Sequence, residues 1–78
     1  MAHTVNLPSL GETVEEGEVL SWLVGIGDVV EEGEPIVLVS TDKAALEINA
    51  DAAGRLTRQL VAEGDRVIPG APIAEIEP

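Results

Sequence analysis

The sequence predicts an all-β domain, closed about an internal pseudo-twofold axis, and three observations carry that expectation. The first is a repeat. At a shift of 37 positions, residues 17–41 lie over residues 54–78 with nine identities in 25 aligned positions. The matches include Gly17 with Gly54, Leu23-Val24 with Leu60-Val61, Gly27-Asp28 with Gly64-Asp65 and Pro35-Ile36 with Pro72-Ile73. Two copies are too few for a solenoid, which needs about three or more, so a closed domain of two related halves is the better solution. The second observation is alternation: Leu46, Ile48 and Ala50 share one face against Glu47 and Asn49, and Ala74 and Ile76 alternate with Glu75 and Glu77, the period of a half-buried strand. The third is punctuation, since eight Gly and five Pro in 78 residues make a chain of many turns.

Taken in order along the chain, Val5-Asn6-Leu7 is a short strand stopped by Pro8. It lies over Leu46-Glu47-Ile48 at a shift of 41, which puts four extra residues in the first half, within Pro8–Glu16. Ile36–Val39, following Pro35, is a run of buried-strand length and too short for a helix. Gly27-Asp28, Gly64-Asp65, Gly33 and Gly70 mark the turns. Propensity conflicts with this plan at Asp42–Glu47, which resembles a helix start with Thr41 or Asp42 as cap. The repeat decides against it, and strand is expected at 46–49. Trp22, the only aromatic residue, falls opposite Gln59 in the repeat, so the halves are not expected to pack identically there.

Composition narrows the function. Four Lys+Arg against fifteen Asp+Glu give a formal charge of −11, which argues against nucleic acid and anionic membrane, whose phosphates call for clustered cations. Basic partner surfaces suit this charge better. With no cysteine, disulfides, thiol redox chemistry and thiolate metal sites are excluded. No apolar run approaches the ~20 residues of a spanning helix, and no signal-peptide pattern is present. A chain this short buries only ~60 % of its unfolded surface, leaving little interior for an enzyme pocket. The domain itself is expected not to be catalytic.

Lys43 is the only lysine, set in Ser40-Thr41-Asp42-Lys43-Ala44 between the last strand of the first half and the first strand of the second. A polar turn there reads as a hairpin tip, with Asp42 suited to the turn. A solvated turn lysine is the plain reading. Its place at the junction of a duplication, away from both termini, fits instead an attachment point for a projecting group.

Thr41-Asp42-Lys43-Ala44, with Gly27-Asp28 upstream and Ala53-Gly54 downstream, resembles the lipoyl domain of 2-oxo acid dehydrogenase complexes. Leu7-Pro8-Ser9-Leu10-Gly11-Glu12, Glu16-Gly17 and Trp22-Leu23 resemble the start of their dihydrolipoyl acyltransferase subunits. The likeness covers essentially the whole chain, residues 1–78, as one carrier domain, the N-terminal part of a longer acyltransferase. It implies a flattened β-barrel of two four-stranded antiparallel sheets. It also implies lipoic acid in amide linkage to Lys43, with Asp42 and Ala44 as recognition residues of the modification turn. A partner-contacting loop would fall within Pro8–Glu16, with Leu10, Gly11, Glu12, Thr13, Glu15 and Glu16 as candidates. Ser40, where many relatives carry Glu, and Ala45, where Val or Thr is frequent, depart from the pattern.

The resemblance further implies a swinging arm that passes acyl groups and electrons, the cofactor carrying the chemistry while the protein presents it. Its partners would be a lipoate ligase or lipoyl/octanoyl transferase, a thiamine diphosphate-dependent 2-oxo acid dehydrogenase, the acyltransferase catalytic domain and dihydrolipoyl dehydrogenase. Glu12, Glu15, Glu16, Asp42 and Glu47 are candidates for steering onto basic active-site mouths, or are simply a solubilising face. The Leu10-Gly11-Glu12 opening leans toward 2-oxoglutarate or branched-chain relatives. Met1 directly ahead of the domain fits the cytoplasm of a prokaryote better than a mitochondrial matrix.

The rival readings are a biotin carrier domain and an unmodified structural or protein-binding barrel. Biotin carriers typically flank their lysine with methionine, whereas Asp42 and Ala44 stand here and Met1 is the only methionine. A glycine-cleavage carrier fits less well, being longer and lacking the Leu-Gly-Glu opening. His3 has no Ser or Asp partner at triad distance in sequence. Glu31-Glu32-Gly33-Glu34 lacks calcium-loop spacing and reads as an exposed turn. No metal site is expected.

Overall fold

A computed structural model describes residues 2–11 and 14–78. Its elements are eight strands: β1 (His3–Asn6), β2 (Gly17–Trp22), β3 (Val29–Val30), β4 (Pro35–Ser40), β5 (Ala45–Asn49), β6 (Gly54–Gln59), β7 (Arg66–Val67) and β8 (Pro72–Glu77). They form two four-stranded antiparallel sheets, in the orders β1-β8-β6-β3 and β5-β4-β2-β7. Exchanging β1 with β5, β8 with β4, β6 with β2 and β3 with β7 turns one order into the other, so the duplication read in the sequence is a twofold relation in space. Strand, not helix, occupies 45–49. Helix propensity there is a weak preference, and ladder pairing with β4 together with burial of Ile48 overrides it.

The core is wholly apolar. Val5, Leu7, Val19, Val30, Ile36, Val37, Val39, Leu56, Ile73, Ala74 and Ile76 are buried almost completely, and no charged or polar residue is buried among the described residues. Each fully buried Val, Leu or Ile side chain contributes ~1.5–3 kcal/mol relative to exposure. Ile48 and Ala50 lie on the buried face between exposed Glu47 and Asn49, as alternation requires.

One departure from strict alternation recurs in both halves. Ile36 and Val37 are both buried, as are Ile73 and Ala74. The ladder steps from Pro35↔Asn49 to Val37↔Ile48, and from Asn6↔Pro72 to Val5↔Ala74, skipping Ile36 and Ile73. Each is the extra residue of a bulge, which bends the strand and lets two consecutive side chains turn inward.

The register corrects the expected shift of 41 for the first strands. Val37 pairs with Ile48 and Ala74 with Val5; Val39 pairs with Leu46 and Ile76 with His3. Because Val37 and Ala74, like Val39 and Ile76, are 37 apart, β1 and β5 correspond at a shift of 43. Leu7 therefore matches Ala50, and both exchange backbone bonds with the chain ahead of the last strand of the opposite half: Leu7 with Gly70 and Ala71, Ala50 with Gly33 and Glu34. Ten positions separate Leu7 from Gly17 and four separate Ala50 from Gly54, so the first half carries six extra residues, not four. A two-residue slip keeps every side chain on its face, so apolar pattern alone does not distinguish the registers.

Trp22 packs against the core and Gln59 does not, yet the two make equivalent hydrogen bonds. Trp22 Nε1 donates to Val61 O at 3.0 Å, and Gln59 Nε2 donates to Val24 O at 3.1 Å. The two positions differ in bulk, yet each reaches the same carbonyl of the opposite half. The turns repeat just as closely. Asp28 Oδ2 accepts from Gly25 N and Asp65 Oδ2 from Ala62 N, both at 2.8 Å, and Gly27 and Gly64 sit at φ 96° and 92°, a backbone region glycine enters without steric cost.

Candidate functional site

The β4–β5 hairpin ends in Thr41-Asp42-Lys43-Ala44, and the last ladder pair before the turn is Ser40↔Ala45. Asp42, Lys43 and Ala44 are exposed and Thr41 is half-buried. Thr41 N donates to Ala44 O at 2.8 Å. The Thr41 hydroxyl donates to the same Ala44 O at 3.0 Å and accepts from Lys43 N and Ala44 N, each at 3.2 Å. The turn is therefore organised by Thr41. Asp42, expected to suit the turn, contributes no side-chain bond to it among the described residues.

The chain leading into β2 borders the turn. Val14, Glu15, Glu16, Gly17 and Glu18 line a groove whose other wall is Ser40, Thr41 and Asp42, with Arg66 at its edge. Glu15, Glu16, Glu18 and Asp42 outweigh Arg66, so the groove is acidic beside the only lysine. Arg66 Nη1 lies 2.7 Å from Glu16 Oε1, with the two side chains 74 % and 55 % exposed. Such an exposed pair is worth ~0–1 kcal/mol.

Of the contact candidates in this loop, Gly11, Glu15 and Glu16 are exposed. Leu10 is a correction: only 7 % exposed, it belongs to the core cluster. Its apolar side chain anchors the loop and is not offered to a partner. Glu12 and Thr13 lie outside the described residues.

The remaining singletons are structural. His3 does have an acidic partner, Asp51, with Nε2 2.8 Å from Oδ1 across 48 residues of sequence. No described hydroxyl bonds to that pair, so no triad forms. Glu31–Glu34 is a closed turn, Glu34 N donating to Glu31 O and Glu31 N to Glu34 Oε1. Among the described residues no group of three or more His, Asp or Glu side chains gathers to hold a metal. What the surface offers chemically is one primary amine on an ordered hairpin tip beside an acidic groove.

Sequence reasoning found the lysine and the adjacent loop but missed Thr41, considered only as a helix cap. It also missed Arg66, whose partner lies 50 residues away. A hydroxyl two residues before the turn lysine was the available signal for the first; nothing local signals the second.

Comparison with known proteins extends these observations. The family model described as "Biotin-requiring enzyme", covering biotin and lipoyl attachment domains, matches residues 3–76. The acetyltransferase component of the pyruvate dehydrogenase complex of Corynebacterium glutamicum is 47% identical over 75 residues, 96% of this chain and 11% of the relative. The succinyltransferase component of the 2-oxoglutarate dehydrogenase complex of Staphylococcus saprophyticus is 42% identical over 72 residues, 92% of this chain and 17% of the relative. The chain thus spans less than a fifth of the length of either. Among solved structures, the lipoyl domain of the 2-oxoglutarate dehydrogenase complex from Azotobacter vinelandii superposes with a TM-score of 0.74 at 29% identity, covering 96% of this chain and 95% of that one. Urea carboxylase of Kluyveromyces lactis contains the same fold, with a TM-score of 0.83 at 22% identity over 99% of this chain and 6% of that one.

Proposed function

The chain belongs to the family of biotin and lipoyl attachment domains, and from that membership we propose that it is a lipoyl carrier, with lipoic acid in amide linkage to Lys43. The observation that carries this reading is the seat of the only lysine: exposed, at the tip of a hydrogen-bonded hairpin, on a barrel whose relatives at 47% and 42% identity are dihydrolipoyllysine-residue acyltransferase components. An amine so placed reaches an enzyme's active site without the barrel having to enter it.

In attachment, the Lys43 amine sheds a proton and attacks an activated lipoyl carboxyl carbon. The C–N amide bond forms, the activating group leaves with the bonding electrons, the nitrogen gives up a second proton to become a neutral amide, and the formal charge of the chain moves from −11 to −12. Asp42 and Ala44 flank the amine as the residues a ligase reads. Once bound, the dithiolane supplies acyl and electron carriage. The chain's own part is to hold the arm at the tip and to offer the acidic groove of Glu15, Glu16, Glu18 and Asp42 to basic enzyme surfaces. Those partners are a lipoate ligase or lipoyl/octanoyl transferase, a thiamine diphosphate-dependent 2-oxo acid dehydrogenase, the acyltransferase catalytic domain and dihydrolipoyl dehydrogenase. A bacterial cytoplasm is part of the same proposal, since both relatives are bacterial.

Incubation with a lipoyl ligase, ATP and lipoic acid, followed by intact mass, tests it. One lipoyl increment is expected on the natural chain and none on Lys43→Ala, whose thermal midpoint should stay nearly unchanged because the side chain is exposed. Trypsin should fail to cut after the modified lysine. An unmodified chain beside an active ligase sinks the lipoyl assignment, and a biotin increment with biotin ligase would establish the rival carrier.

A further inference from the structure

We propose that Thr41 is the positioning residue that presents Lys43 for acylation, through a hydroxyl that stands in for a backbone acceptor the turn lacks. The inference rests on the carrier reading and adds to it how the amine is held. A tight two-residue hairpin loop normally closes with reciprocal backbone bonds and uses a primed turn, whose central residues adopt positive φ and are therefore Gly, Asn or Asp by preference. Lys43 is none of these, and no described non-glycine residue has positive φ. Only one of the two reciprocal bonds is made, Thr41 N to Ala44 O. Ala44 N turns instead to Thr41 Oγ1, and Lys43 N shares it.

These two amides bracket the Lys43 Cα, so one hydroxyl orients the peptide planes on both sides of the carbon from which the lysine springs. That hydroxyl is fully used, donating to Ala44 O and accepting twice, the whole capacity of a threonine side chain. Serine supplies the same hydroxyl. Valine keeps the β-branched shape and supplies none.

The test compares the natural chain with Thr41→Ser, Thr41→Val and Thr41→Ala. Initial rates of acylation by a lipoyl ligase with lipoic acid and ATP are read by intact mass, alongside thermal midpoints and amide hydrogen exchange at Lys43 and Ala44. Thr41→Ser is expected within about twofold of the natural chain. Thr41→Val and Thr41→Ala should lose about tenfold or more in kcat/KM, the scale of a misplaced reacting group, while remaining folded, with the two amides exchanging about tenfold faster. Acylation of Thr41→Val at the natural rate overturns the assignment, as does Thr41→Ser falling as far as Thr41→Val. A natural chain that the ligase leaves unmodified overturns the carrier reading and this proposal with it, and is distinguished because the loss then precedes any substitution.

Discussion

In one sheet β4 runs into β5 through Thr41–Ala44; in the other, the equivalent strands β8 and β1 are the last and the first in chain order. The flanking segments differ in the same sense. Ala50 reaches Gly54 in four steps, with His3 held to Asp51 beside it, whereas Leu7 reaches Gly17 in ten, with Leu10 buried and Glu16 held by Arg66. Closing the barrel thus requires only the short link, as the second half demonstrates. Val14, Glu15 and Glu16, from the longer link, border the lysine turn and supply part of one wall of its acidic groove. Duplication built the scaffold, and the departures from duplication cluster where the proposed function lies.

If the scaffold is shared evenly, its core should weaken evenly. Ile36→Ala and Ile73→Ala, at equivalent bulges and nearly fully buried, should each cost ~3–4 kcal/mol by urea denaturation, within ~1 kcal/mol of each other. A larger gap would show that one half dominates the core. The glycine pair should separate the halves. An added Cβ at Gly54 would lie 2.8 Å from Glu77 C, at φ +152°, and Gly54→Ala should cost ~3 kcal/mol. At Gly17 the Cβ would meet Val39 Cγ1 at 2.6 Å and Ser40 O at 2.9 Å without a positive φ, so Gly17→Ala should cost ~2 kcal/mol. The reverse order would mean that crowding against Val39 outweighs backbone strain. The smallest effects belong to the crossed hydrogen bonds. Gln59→Leu removes one and should cost ~1 kcal/mol. Trp22→Gln can keep its bond while losing apolar burial, at ~1–2 kcal/mol. Denaturant midpoints that leave Gln59→Leu neutral would mean the bond to Val24 O is replaced by water.

Much of this was legible along the chain. The shift of 37, the Gly-Asp turns and the alternation at Leu46–Ala50 are local patterns, and each specifies its element because side-chain direction and glycine torsion are properties of the residue and its neighbours. Lys43 stood out by being alone. The shift of 43, by contrast, was hidden because a two-residue slip leaves the buried face intact, and only ladder pairing distinguishes it. Leu10 looked like part of a surface loop until burial was known.

The sequence by itself therefore determined an all-β chain of two related halves with a single lysine between them, because periodicity and turn chemistry act over a few residues. Tertiary structure alone decided which carbonyls Trp22 and Gln59 reach, that Arg66 holds Glu16, that Leu10 turns inward and that the groove forms beside the turn. Those contacts join residues tens of positions apart, and such pairings exist only once two sheets have closed on a common core.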